Sequence, residues 1–155
     1  MPQQEHPDPG TRAFDIYSAA IDAKIIAAGG KDWNSLSKAE LTFVLAHRLA
    51  LEITNGGIEK FIINPAGNHW MQTLDALNTV GASELLKIME RVSLIFPNGL
   101  PSADQMERCE EYERTGKSGE DFVRRLDDQY FKLQVESASN DLYELLAAFA
   151  MEQTK

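Results

Sequence analysis

Asn55-Gly56-Gly57-Ile58-Glu59-Lys60-Phe61-Ile62-Ile63-Asn64-Pro65-Ala66-Gly67 is the stretch on which the fold turns. Asn-Gly between two apolar runs is ordinarily a hairpin signal, so the residues before it must be tested against both periods. Leu41, Val44, Leu45, Leu49 and Ile53 recur at the three-and-four spacing of one helix face, and alternation by two fails there. Asn55-Gly56-Gly57 therefore reads as a helix stop, because Gly and Asn tolerate the left-handed conformation that closes a helix C-terminus. Ile58, Phe61 and Ile62 then fit a short buried helix. Pro65 cannot extend it, since proline lacks the amide donor and its ring clashes with the preceding turn. Asn64 becomes a turn or cap residue.

Upstream, Phe14, Tyr17, Ile21, Ile25 and Ala28 mark a first amphipathic helix ending at Gly29-Gly30. Residues 1–10, with three prolines and no periodicity, are expected to form a loose arm, and 11–155 one helical domain. Leu36-Ser37-Lys38-Ala39-Glu40-Leu41 is a capping box with a hydrophobic staple. Downstream, one helix runs through Trp70, Leu74 and Leu77 to Gly81, and another through Leu85, Met89, Val92 and Phe96 to Pro97-Asn98-Gly99. Ser102-Ala103-Asp104-Gln105 caps an acidic helix. Ser118 with Asp121 is expected to cap the next, through Phe122, Leu126 and Tyr130, and Asn140 the last, through Leu142, Leu145, Leu146 and Phe149. The expected fold is all-α, about eight helices with several short and no strand.

The order Asn-Gly-Gly, Asn64, Gly67, Ala76-Leu77, Val80-Gly81-Ala82, with a late Leu126-Asp127-Asp128-Gln129-Tyr130-Phe131 segment, resembles the bacterial DNA-mimic protein family. The similarity spreads over roughly Leu41 to Phe149. The family favours an aromatic after the double glycine and a Gln-Tyr-Phe run where this chain has Lys60-Phe61-Ile62. The resemblance implies a protein that occupies the DNA-binding surface of a basic regulator, in a setting of transcription regulation.

Charge sets limits from the other side. The 155 residues carry 15 Lys and Arg against 24 Asp and Glu, a net charge of −9, so direct nucleic-acid binding would oppose the protein's own field. The excess is uneven, with 13 acids and 7 bases from Asp104 onward against 11 and 8 before it. Asp104, Glu107 and Glu111 share one helical stripe with Glu110 close by. That helix rises about 15 Å and has a net charge of −3, where duplex DNA of the same length holds roughly nine negative charges. Mimicry at that density requires Glu120, Asp121, Asp127 and Asp128 on the same surface, or a second subunit. The partner-binding set is thus Asp104, Glu107, Glu110, Glu111, Glu120, Asp121, Asp127 and Asp128. The expected partner is a basic protein such as a DNA-binding regulator, and a homodimer is a further arrangement. An immunity-type inhibitor of a basic toxin would use the same physics.

The chemical alternatives are thinner. Thr115-Gly116-Lys117-Ser118 imitates the end of a phosphate-binding loop, but Glu111 stands where that loop needs its first glycine, and upstream carboxylates would repel a triphosphate. His6, His47 and His69 lack metal-ligand spacing, and His47 reads as a boundary residue beside its helix's apolar stripe. Cys109, the single cysteine, sits beside Glu110 and Glu111, which disfavour a thiolate. Trp33, Trp70, Phe61 and Tyr130 read as core or core-edge aromatics, and Met89 and Met106 as packing residues. The remaining competitor is a ligand-binding or enzymatic pocket lined by Asn55, Asn64, Asn68 and His69, with Gly56, Gly57 and Gly67 exposing backbone nearby. No nucleophile, base and orienter set is readable, so a non-enzymatic protein without cofactor or metal is expected. The N-terminus lacks a basic region followed by an apolar core, and the longest apolar run is too short to span a bilayer, so a cytoplasmic protein without membrane partners is expected.

Overall fold

The computed structural model describes residues 6–30 and 33–155. Eight α-helices and no strand occur among them: α1 Pro9–Ala27, α2 Lys38–Gly56, α3 Ile58–Ile63, α4 Trp70–Thr79, α5 Ser83–Ser93, α6 Gln105–Arg114, α7 Gly116–Glu136 and α8 Leu142–Gln153. Short 3₁₀ turns occupy Pro65–His69, Pro97–Gly99 and Ala138–Asn140. The hairpin alternative at Asn55-Gly56 is lost to the helix, because the apolar period of α2 carries it to Gly56.

α2 is the central element, buried along Phe43, Leu45, Ala46, Leu49 and Ala50. It packs against α3 and α4 on one side and α8 on another, while α1 lies mainly on α8. α5 bridges α4 and α7, and α3 is held between α2, α6 and α7. The core gathers Phe61, Trp70, Leu77, Leu85, Ile88, Met89, Leu126 and Leu146, all nearly or fully excluded from solvent. Trp70 keeps its polar edge satisfied in that interior by donating from Nε1 to Ser93 Oγ at 2.9 Å.

Local signals set most helix ends. Ser37 Oγ accepts from Glu40 N at 3.1 Å and Glu40 Oε1 from Ser37 N at 2.9 Å, completing the capping box that opens α2. Glu40 also receives Lys24 Nζ of α1 at 2.8 Å. Burial acts to raise the Glu40 pKa, but the bonds from Lys24 and Ser37 outweigh it and hold the carboxyl below its ordinary value.

Four expectations need correction. α1 begins at Pro9, inside the stretch expected as an arm: the Asp8 carboxylate accepts from Gly10 N and Thr11 N, and proline fits a first helical turn. Residues 6–8 of that arm are exposed and outside any helix, and residues 1–5 lie outside the described residues. α7 starts at Gly116, with Thr115 as its cap position and Ser118 already inside the helix. Asp141 caps α8 by accepting from Tyr143 N, while Asn140 closes α7 by donating to Leu133 O. Met106 is 73% exposed and does not join the core, since it falls on the outer side of α6.

Candidate functional site

The segment from Asn55 to His69 is fixed by two charged side chains from the C-terminal third of the chain. At the first fixed point Gly57 has φ 86°, a left-handed geometry that suits glycine, and its N–H donates to Ile53 O at 2.8 Å to close α2. The chain turns there and starts α3, whose first amide, Ile58 N, donates to Asp127 Oδ1 of α7 at 2.8 Å. A Cβ on Gly57 would come within 2.6 Å of Asp127 Oδ2. The absent side chain therefore serves both the turn and the approach of the carboxylate. Burial raises the Asp127 pKa, opposed by the Ile58 N–H and assisted by Asp128 and Glu59.

Arg108 of α6 is the second fixed point. Its side chain is completely buried. Nε donates to Ile62 O at 2.6 Å, Nη2 to Asn64 O at 2.8 Å, and Nη1 to Ser102 O at 2.9 Å and Asn68 Oδ1 at 3.0 Å. Its direct partners are thus neutral acceptors, among them carbonyls at the C-terminal end of α3, where helix peptide groups lack intrahelical donors. Burial lowers the guanidinium pKa, with Cys109, Asp104 and Glu111 acting in the opposite direction. The fork geometry of arginine lets one residue serve four acceptors from three chain segments. Gly67 makes room for it, because a Cβ there would overlap Phe61 O and lie 2.8 Å from Arg108 Nε. Gln105 Nε2 adds a bond to Ile63 O at 3.0 Å.

The polar side chains of the expected pocket diverge. Asn55 is exposed at the end of α2. Asn64 Nδ2 donates to Glu52 Oε2 at 2.8 Å, and Asn68 is engaged by Arg108. His69 packs on Trp33 with ring centroids 4.9 Å apart, and Arg48 lies over the same indole at 4.5 Å. Burial, then the Arg48 charge, lowers the His69 pKa. These groups tie helix ends together, and they do not converge on a reacting centre.

The acidic set also divides. Asp104, Glu107, Glu110, Glu120 and Asp128 are exposed, and Asp121 is partly covered, 3.8 Å from Arg124. Glu111 differs from these: it is buried, and Oε1 accepts from Ser102 N at 2.9 Å. Asp127 is likewise engaged internally by Ile58. Two grooves are lined by four of the acids. One, of about 510 Å³, includes Glu107 and Glu111 along with Trp70, Met71 and the 97–103 segment. The other, of about 280 Å³, joins Glu120 and Asp127 to Gly56, Glu59, Tyr112, Val123 and Arg124. Glu107 and Tyr112 lie on nearly opposite sides of α6, so these are separate faces. Burial raises the Tyr112 pKa, followed by its contact with Glu59 and the fields of Glu120 and Asp127.

Sequence reasoning missed Arg108, Glu59 and Tyr112. The signal for Arg108 was the stripe Gln105, Arg108, Cys109 and Tyr112, the one side of α6 free of carboxylates. Among the described residues, no group of three or more His, Cys, Asp or Glu is placed to hold a metal ion, and no helix is long and apolar enough to cross a membrane. No curated protein and no solved structure matches the chain significantly. A family model described as DMP19-like protein does match, over residues 34–153, which span α2 through α8 and include both the Gly57–Asp127 and Gly67–Arg108 approaches. The chain belongs to the DMP19-like protein family.

Proposed function

We propose that this chain is a non-enzymatic protein whose acidic surface occupies the DNA-binding site of a basic regulatory protein. The observation that carries this reading is the set of carboxylates left facing water on α6 and α7: Asp104, Glu107, Glu110, Glu120 and Asp128. Membership of a family consistent with DNA mimicry gives that surface its most specific use. With Arg108 and Glu111 both buried, α6 presents Asp104, Glu107, Glu110 and Glu113 against Arg114 alone. Its exposed charge is then unchanged from the whole-helix count, about a third of the density of duplex DNA. Matching the density of DNA therefore calls for the acids of α7, or a second copy, in addition to α6.

The test is competition. A basic DNA-binding protein captured from the source cell is titrated with labelled duplex DNA and with this protein. Each should displace the other, because both would occupy one basic site. A variant with Glu107→Gln, Glu110→Gln and Asp128→Asn should bind about tenfold more weakly at low salt and show a flatter salt dependence. Simultaneous binding of DNA and this protein without mutual weakening would overturn the mimic reading.

A further inference from the structure

The larger acidic groove has a feature that phosphate-like charge does not explain. Its floor is Trp70, and Met71 and Leu100 border it while remaining 51% and 48% exposed. Pro97, Pro101 and Ala103 extend the apolar lining, whose residues include no Lys, Arg or His. Glu107 stands on the rim and makes no ion pair among the described residues, and Glu110 follows on the adjoining face of α6. Apolar side chains left open beside the unpaired Glu107 and the loosely paired Glu110, 3.7 Å from Arg114, form a mixed surface, with separate places for an apolar group and a cation.

The groove is also preorganised. Arg108 donates to Asn68 Oδ1 on one wall and Ser102 O on the other, and Glu111 holds Ser102 by its amide. Fixing both walls before binding reduces the ordering that a partner must impose. The volume of about 510 Å³ lies in the range of pockets that hold compact apolar groups.

We infer that this groove takes a basic amphipathic segment of the protein partner, with an apolar side chain seated between Met71 and Leu100 and flanking Lys or Arg facing Glu107 and Glu110. The inference rests on the acidic-surface reading above and adds an apolar anchor to it. Charge complementarity selects this occupant. A nucleic acid or a second copy of a chain with net charge −9 would bring more negative charge to the same rim.

The experiment uses the full chain and a fluorescein-labelled peptide made of two Lys-Leu-Ala-Lys-Leu-Ala-Lys repeats, with a control in which every Leu is Ala. Anisotropy is read at low and high salt, and the Met71 methyl resonance is followed by NMR. The leucine peptide should saturate, shift that resonance, and bind at least about tenfold more tightly than the alanine peptide of equal charge. Leu100→Ser should lose about tenfold in affinity with the salt slope retained, whereas Glu107→Gln with Glu110→Gln should flatten the slope. Circular dichroism checks that each variant folds. Equal binding of both peptides, or unchanged binding by Leu100→Ser, overturns the groove; if the glutamates still set the salt slope, the acidic-surface reading stands. Indifference to both glutamates removes that reading and this proposal together. Self-association abolished by Leu100→Ser would assign the groove to a second copy and overturn the proposal.

Discussion

The segment from Asn55 to His69 and the outer surface of α6 and α7 use charge in opposite ways. In the segment, the buried Arg108 and the half-buried Asp127 are bonded to backbone groups 46 and 69 residues away. On the surface, Glu107, Glu110, Glu120 and Asp128 come from the same two helices but remain in water. A buried charge with fixed partners specifies which chain segments meet, and removing it leaves those partners unsatisfied. An exposed charge contributes mainly a long-range field. The pair of helices that carries these exposed acids therefore also holds the glycine-rich segment in place, through different residues.

The largest expected effect follows from that contrast. Arg108→Ala would remove the donor to Ile62 O, Ser102 O and Asn68 Oδ1 and leave Asn64 O with Gly67 N alone, so a loss of roughly 3–5 kcal/mol is expected in denaturant unfolding. Arg108→Lys should recover little, because an ammonium cannot span acceptors arranged for a fork. A lysine variant of near wild-type stability would mean that charge alone is needed at this position.

The glycines come next. Gly57→Ala places a Cβ at φ 86° and against Asp127, and Gly67→Ala places one against Arg108 and Phe61 O, so each should cost about 1–3 kcal/mol. Gly56→Ala is the informative comparison. Gly56 is the last residue of α2 and lacks a positive φ, and the atoms nearest a Cβ there belong to the flexible side chain of Lys60. Its effect should be much smaller, which assigns the left-handed requirement to one member of the pair.

Asp127 separates acceptor from charge. Asp127→Ala strands the Ile58 N–H and should cost about 1–3 kcal/mol, whereas Asp127→Asn keeps an acceptor and should cost less. The pH dependence tests the same point. Because the folded pKa is raised above 3.8, the stability associated with protonated Asp127 is present at low pH and lost as pH rises through the folded value. The Asp127→Asn variant should lack that part of the slope. Equal losses for the alanine and asparagine variants at neutral pH would show that the charge, and not the acceptor, is what α3 requires.

The sequence made the local half of this comparison legible and concealed the other half. Ser37 and Glu40 are three residues apart and both bonds of their box formed, and the Asn-Gly-Gly stop was readable because α2 has a sustained period. Asp104 caps α6 by accepting from Glu107 N at 2.9 Å, again a local bond. Arg108 was obscured because its acceptors at Ile62, Asn64 and Asn68 are 40 to 46 residues away and two of those three are backbone atoms, which no side-chain pattern announces. Glu111 misled for a related reason: it shares the stripe of Glu107, but the 97–103 segment folds over it. The expected Asn-rich pocket failed on direction, since Asn64, Asn68 and His69 each face a different partner.

The smallest expected effect concerns stability at the surface. Glu107→Gln with Glu110→Gln should change unfolding free energy by no more than about 0.5 kcal/mol, because both side chains are exposed and the Glu110–Arg114 pair is long at 3.7 Å and open to solvent. Glu111→Gln should behave differently, since its carboxylate receives Ser102 N in a buried setting and the amide is a weaker acceptor. Measured by the same denaturant titration, Glu111→Gln should be the most destabilising of the three single changes despite being chemically identical to them. Equal, negligible losses for all three would place Glu111 with the surface acids. A loss confined to Glu111 would draw the line between architecture and recognition through adjacent residues of α6, with Glu110 on the side of the partner and Glu111 on the side of the fold.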